Sequence, residues 1–283
     1  MTENGGILCR GFQVPAIMYG TAWKEERTSA LTEQAIRTGY RAIDTANQRR
    51  HYCEAEVGAA VAKAVSEKTC SRAELFLQTK FTYLGGQDHR LPYDPAAALA
   101  TQVRQSMESS LGHLGTDYVD SFVLHGPATG MGWSREDDEV WRTMVELMSE
   151  GKARVLGVSN VSIGHLEALA ASSEELPAFV QNRCFARRGW DRAVRAWCRE
   201  HGAVYQGFSL LTANPEVVGH PQVLRMAAEH SVTTAQLVLR FAQQVGMLPL
   251  TGTTDATHMR QDLECARFSL TPQQLDWLET LAG

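Results

Sequence analysis

Short apolar runs recur along the chain, each followed by a turn and then by a stretch of helical periodicity. The runs are AIMYGTA (16–22), RAIDTA (41–46), LFLQTKF (75–81), YVDSFVLH (118–125), RVLGVSN (154–160), FVQNRCF (179–185), VYQGFSL (204–210) and LPLTGT (248–253). Each is nearly continuous rather than alternating, the pattern of strands covered on both faces. Among the stretches between them, TSALTEQAIRTGY (28–40) opens on Thr and Ser and stops at Gly39, and AAALATQVRQSMESSLGHL (96–114) stops near Gly112. REDDEVWRTMVELMSEGK (135–152) carries acids in its first turn and Gly151-Lys152 at its end, as the helix dipole favours. TTAQLVLRFAQQVG (233–246) and TPQQLDWLETL (271–281) follow the same logic. Strands alternating with helices imply a parallel sheet with right-handed crossovers. Eight such units fit a closed (β/α)8 barrel, the TIM barrel, better than an open doubly wound sheet. ILCRGFQVPA (7–16) reads as a short N-terminal hairpin around Arg10-Gly11, placed to plug the barrel bottom.

No low-complexity stretch or Pro/Gly-rich linker divides the chain, so residues 1–283 are expected to form one domain. The formal net charge of −5 argues against a general nucleic-acid binder. No apolar run reaches the length of a membrane helix. The opening MTENGGILCRGF lacks a basic segment followed by an apolar block, so no secretory signal is expected. Cys9, Cys53, Cys70, Cys184, Cys198 and Cys265 are scattered without a C-x-x-C pair, which suits reduced thiols in a cytoplasmic protein. No histidine pairs with a carboxylate at ligand spacing, so no metal site is expected.

In such barrels the chemistry sits at the C-terminal ends of the strands. The second run carries Asp44, the third Lys80, the fourth His125 and the fifth Ser159-Asn160. The sixth carries Gln181 and Asn182, the seventh Phe208 and Ser209, the eighth Thr251 and Thr253. An acid, a lysine and a histidine on three consecutive strands converge over one mouth. In a low-dielectric pocket Asp44 and Lys80 pair, and a phenol beside them feels the ammonium, which lowers its pKa. Such a phenol can donate a proton to a carbonyl oxygen as hydride arrives. Tyr52, after the second run, is the available phenol. Taken singly, Asp44 also reads as a helix cap, Lys80 as a surface lysine, His125 as a core histidine and Tyr52 as an ordinary loop residue. Their coincidence at strand ends favours the functional reading. The irregular loop TYLGGQDHRLPYDP (82–95), together with Trp23, Met131 and Trp133, is expected to shape a substrate pocket, with a surface excursion as the alternative.

GYRAIDTAN (39–47), EAEVGAAV (54–61), LQTKF (77–81), YVDSFVLHGP (118–127), GKARVLGVSN (151–160) and FVQN (179–182) resemble the aldo-keto reductase family in order and spacing, over nearly the whole chain. The resemblance implies an NADPH-dependent reductase of aldehydes or ketones with a tetrad of Asp44, Tyr52, Lys80 and His125. It makes Tyr52 the general acid, has Lys80 (salt-bridged to Asp44) lower its pKa, and has His125 orient the carbonyl. It implies that Ser159, Asn160 and Gln181 hold the nicotinamide carboxamide and that Phe208 stacks on the ring. Ser209 and Leu211 begin a loop over the pyrophosphate, and Thr251, Thr253, His258, Arg260 and Asp262 belong to the adenosine-phosphate region. Thr21 falls on the cofactor side, and Trp23, His51, Met131 and Trp133 on the substrate side. The family binds its cofactor without a Rossmann fold, and the chain contains no G-x-G-x-x-G. The implied partner is a small carbonyl compound, with no nucleic acid, membrane or obligatory protein partner.

Two segments depart from the family pattern. The tyrosine segment, usually IDTA-x-x-Tyr-x-Asn-Glu-x-x-Val-Gly, reads IDTANQRRHYCEAEVG and is two residues longer from Asp44 to Val57. Counting back from Val57 puts His51 at the tyrosine's place, and counting forward from Asp44 gives Arg49. Tyr52 is the only phenol in the stretch, so a one-position shift is the economical reading; His51 as an imidazolium donor is the other. The usual lysine after the eighth strand's proline is Leu250, and the next basic position falls on His258, which is largely neutral at pH 7. NADH therefore stands as an alternative to NADPH, with Arg260 placed to restore the phosphate contact. Two other functions remain: a nicotinamide-binding regulatory module with little turnover, and a Schiff-base lyase using Lys80.

Overall fold

The computed structural model describes residues 6–281. The first five residues, part of the stretch read as lacking a signal, lie outside it. Strands β1 (Ile7–Cys9) and β2 (Phe12–Val14) form the expected antiparallel hairpin, with Cys9 opposite Phe12. Arg10 and Gly11 both take positive φ (47° and 82°), as a two-residue hairpin turn requires. Each of the eight apolar runs then marks one strand: β3 (Met18–Gly20), β4 (Ala42–Asp44), β5 (Phe76–Phe81), β6 (Val119–Leu124), β7 (Ala153–Ser159), β8 (Phe179–Arg183), β9 (Val204–Phe208) and β10 (Met247–Thr251). Strands β7 and β10 start one residue before their runs. They close in the order β10-β3-β4-β5-β6-β7-β8-β9, every pair parallel, into the barrel that the pattern predicts.

The outer layer holds α1 (Thr28–Thr38), α2 (Glu54–Ser66), α3 (Leu99–Leu114), α4 (Arg135–Ser149), α5 (Ile163–Ser172), α6 (Arg192–Glu200), α7 (Pro215–Val218), α8 (Pro221–Glu229), α9 (Thr234–Gln244), α10 (Ala256–Leu263) and α11 (Pro272–Thr280). The five helical signatures correspond to α1, α3, α4, α9 and α11. Capping boxes open three of them: Ser134 with Asp137 on α4, Thr233 with Gln236 on α9, Thr271 with Gln274 on α11. The stop of α3 falls later than expected. Gly112 stays inside the helix, and Gly115 takes the left-handed conformation (φ 63°) that ends it. On α2, a Cβ on Gly58 would lie 1.9 Å from the carbonyl oxygen of His113, so the two helices approach with no room for a methyl group. Among the described residues no helix is long and apolar enough to cross a membrane.

The two ends of the barrel differ in chemistry. At the N-terminal end an apolar cluster unites Met18, Ala42, Phe76, Val155, Phe179, Val204 and Leu248 with Cys9 and Val14 of the hairpin. The Cys9 thiol reaches the carbonyl of Ala178, 3.4 Å away, at the foot of β8. The hairpin therefore closes the bottom, and the chain's chemistry is left to the opposite rim.

Candidate active site

Parallel strands in register bring paired residues to one level. Asp44 pairs in register with Gln78, and Gln181 with Gln206. Lys80, fully buried, donates from Nζ to Asp44 Oδ1 at 2.6 Å and to the carbonyl of Thr45 at 2.8 Å. The same Oδ1 accepts from Gln78 Nε2 at 2.7 Å and Gln181 Nε2 at 3.0 Å. Gln206 Oε1 accepts from both amides, at 2.9 Å and 3.0 Å, and its own Nε2 donates to Gln78 Oε1 at 3.0 Å. The carboxylate–ammonium pair is thus held in a network of three buried amides, which satisfies polar groups that would otherwise be costly to bury. Burial pulls the Lys80 ammonium below its ordinary pKa, and Asp44 opposes the shift. Sequence reasoning missed Gln78 and Gln206. Their signal is period-two spacing: Gln78 lies two residues before Lys80 on the same inward face, and Gln206 sits beside Gln181 in the next strand.

Of the two candidates for the tyrosine's place, Tyr52 is the one beside the pair. Lys80 Nζ lies 5.2 Å from its ring centroid, and the His125 ring meets it edge-on at 5.9 Å. His51 instead packs on Trp23, with centroids 3.9 Å apart. The expected fall in the phenol's pKa does not occur. Burial first, and Asp44 second, push Tyr52 above its ordinary value. A phenol pushed upward keeps its proton at neutral pH, the state a proton donor needs. His125 is pushed down to about 3, by burial and then by Lys80, so its imidazole is neutral. Its Nδ1 lies 2.7 Å from Thr82 Oγ1. With that hydroxyl donating, the ring proton sits on Nε2.

These groups border a cavity of about 790 Å³. Asp44, Tyr52, His125, His51 and Trp23 line it together with Ser159, Asn160, Gln181, Phe208, Ser209 and Leu211. It continues to Thr251, Thr253, His258 and Asp262. Asn160 and Ser209 both hold φ at 57°, a conformation non-glycine residues seldom adopt; the Asn160 amide is anchored to the carbonyl of His125 at 2.8 Å. At the far end Thr251 Oγ1 donates to Asp262 Oδ2 at 2.6 Å, and burial pushes Asp262 up to about 6. Lys24, which sequence reasoning passed over, is buried beside this end, with Nζ 2.7 Å from the carbonyl of Gly252. Burial, then Arg27, pulls it down to about 8.

Five predicted residues stand outside the cavity lining, and one is Lys80, fully buried behind it. Thr21 is buried in the wall, its hydroxyl donating to the carbonyl of Asp44 at 2.9 Å. Arg260 lines a separate outer groove with Glu33 and Arg37 of α1, its guanidinium donating to Thr257 Oγ1 at 3.1 Å. Met131 is 98% exposed, and Trp133 ties its indole to Asp138 at 2.8 Å, at the start of α4. The 82–95 loop does not line the large cavity either. Tyr93 is buried with its hydroxyl on the carbonyl of Thr82 at 2.8 Å, and Gln87 Nε2 donates to the carbonyl of Asn47 at 2.9 Å. So fastened, the loop walls a second cavity of about 390 Å³ with Arg49, Cys53, Glu54 and His113, and Tyr52 borders both. Among the described residues no group of three or more His, Cys, Asp or Glu is placed to hold a metal ion.

The model of the family described as "Aldo/keto reductase family" matches residues 16–214. An uncharacterized oxidoreductase of Bacillus subtilis is 28% identical over 276 residues, covering 97% of this chain and 91% of the relative. The 2,5-diketo-D-gluconic acid reductase B of a Corynebacterium is 29% identical over 273 residues, covering 96% and 90%. Among solved structures, an aldo-keto reductase of Bombyx mori in complex with NADP superposes with a TM-score of 0.82 at 23% identity, covering 97% of this chain and 91% of that one. With the motifs, the closed barrel and the match over 16–214 taken together, the chain belongs to the aldo/keto reductase family.

Proposed function

We propose that this protein reduces an aldehyde or ketone to an alcohol with a reduced nicotinamide dinucleotide, NADPH by preference, and that Tyr52 is the proton donor. One observation carries the reading: Asp44, Lys80, Tyr52 and His125 meet at the C-terminal rim of the barrel, at one end of a long cavity. The names of relatives support it, one being a diketo-acid reductase and a structural neighbour holding NADP.

The residues present fit a dinucleotide. The cavity is long, polar at the inner end through Ser159, Asn160 and Gln181, and bordered by the Phe208 ring. Ser159, Asn160 and Gln181 would hold the carboxamide and Phe208 the ring, while Ser209, Leu211, Thr251, Thr253, His258 and Asp262 would line the rest. When bound, the reduced nicotinamide supplies hydride to the carbonyl carbon. Tyr52 holds a proton at its hydroxyl and passes it to the carbonyl oxygen. Lys80, kept cationic by Asp44, stabilises the phenolate left behind. The neutral His125, with its proton on Nε2, donates a hydrogen bond that orients the carbonyl. A Schiff-base role for Lys80 fits less well, since its Nζ is held by Asp44 and Thr45 inside the wall. The same reading takes residues 1–283 as one domain and the cytoplasm as its compartment, on the six unpaired, buried cysteines.

The test is NADPH oxidation with a reactive aromatic aldehyde. Tyr52→Phe is expected to lower kcat/KM by about 10²–10⁴-fold, the usual contribution of a general acid. NADPH binding, followed by tryptophan fluorescence, stays near wild type. His51→Asn is expected to leave most of the activity. The opposite ranking of the two variants would move the donor to His51.

A further inference from the structure

Arg183 is the last residue of β8, two positions beyond Gln181, and it lines the large cavity. Its guanidinium lies over the Phe208 ring, 5.6 Å from the centroid, where the register pairs the two residues. It makes no hydrogen bond or ion pair with any described residue. Its donors are uncommitted, whereas those of several other arginines are taken by acids. Arg37, Arg72, Arg90, Arg104, Arg154, Arg192 and Arg195 each meet a carboxylate.

Two more guanidiniums without a carboxylate follow shortly after β8 in the chain. Arg187 and Arg188 lie over the Phe185 ring, at 4.9 Å and 5.2 Å. Three arginines thus fall within six residues, the first of them lining the cavity, in a chain whose formal net charge is −5. A local positive field of this kind draws anions toward a cleft. Stacking on aromatic rings keeps the planar groups in place while leaving their N–H donors free. The fork of donors on Arg183 matches a carboxylate or a phosphate.

We infer that Arg183 is an anion-binding residue of this cavity, which takes a phosphate or carboxylate group of a bound ligand through its free guanidinium. Two sources carry such a group: the dinucleotide's diphosphate and an acid function on the substrate. The inference rests on the reductase reading for the identity of these ligands. Arg183 acts in binding and selection, and no proton moves through it.

The test compares wild type with Arg183→Gln and Arg183→Lys, by binding rather than by turnover. NADPH is titrated against tryptophan fluorescence. In a second arm, NADPH-loaded protein is titrated with 4-carboxybenzaldehyde and with its neutral methyl ester. Loss of one charge-assisted contact corresponds to about tenfold or more in Kd. A rise of that size for NADPH, with the acid-over-ester preference unchanged, supports the inference and assigns the anion to the dinucleotide. A loss of the acid-over-ester preference, with NADPH binding unchanged, supports it and assigns the anion to the substrate. Arg183→Lys is expected to recover part of either effect, and the melting temperature to stay constant. If Arg183→Gln alters neither titration by more than about twofold, the guanidinium only covers Phe208 and the inference falls. Turnover is recorded separately, so wild-type protein that binds both ligands without reducing either aldehyde overturns the reductase reading while the binding arms still decide the role of Arg183.

Discussion

The bottom and the rim of this barrel are built from the same strands and have opposite contents. At the bottom, Phe76 and Phe179 meet edge to face with centroids 5.6 Å apart, inside a cluster closed by Cys9 and Val14. At the rim, Asp44, Lys80, Gln78, Gln181 and Gln206 are equally buried but polar, and each is satisfied by another of the set. The bottom contributes stability through apolar area removed from water. The rim adds little net stability, since buried charges recover in pairing roughly what they lose in desolvation. What it gains is geometry: Lys80 fixed under Tyr52, and a neutral His125 beside it.

The difference can be broken first at Lys80. Lys80→Met leaves the Asp44 carboxylate buried without its cation, which is expected to cost about 3–5 kcal/mol in denaturant unfolding. Carbonyl reduction should fall with it. A loss below about 1 kcal/mol would mean that the amides of Gln78 and Gln181 hold the carboxylate unaided. Phe179→Ala probes the other end and is expected to cost about 3–4 kcal/mol through the cavity it leaves. Its kcat/KM per folded molecule should stay at the wild-type value. Activity lost below the melting transition would show that the bottom does more than stabilise.

His125 sharpens the contrast through pH. Its folded pKa of about 3 lies below the ordinary 6.5, so the unfolded chain binds the proton first as pH falls. Its contribution is therefore complete above about pH 6.5 and is lost progressively down to about pH 3. Between pH 7 and pH 5 this amounts to about 2 kcal/mol, measurable as a fall in unfolding free energy that His125→Asn removes. The smallest effect is expected at the hairpin. Gly11 holds φ at 82°, so Gly11→Ala should cost about 1 kcal/mol, seen as a small drop in melting temperature.

Much of this was legible in the chain itself. Every apolar run marks a strand, because a strand covered on both faces leaves a continuous apolar signature. The rim residues Asp44, Lys80 and His125 were found by one rule, that barrel strands carry chemistry at their C-terminal ends. Arg260, Met131 and Trp133 were misplaced because sequence gives their distance from the strands but not the direction of their side chains. The 82–95 loop failed for a related reason. Its Gly and Pro residues mark irregularity, while its position depends on contacts from Tyr93 and Gln87 to Thr82 and Asn47.

The sequence by itself determined the alternation of strand and helix, the closure into eight units, the hairpin and the set of polar residues available at the rim. These follow from local periodicity, capping and turn chemistry, which act over a few residues. Tertiary structure alone decided that Tyr52 rather than His51 lies beside Lys80, and that Asp44 collects three donors from β5 and β8. It alone left Arg183 over Phe208 without a carboxylate. Those outcomes depend on register between strands far apart in the chain, where a shift of one residue turns a side chain to the opposite face.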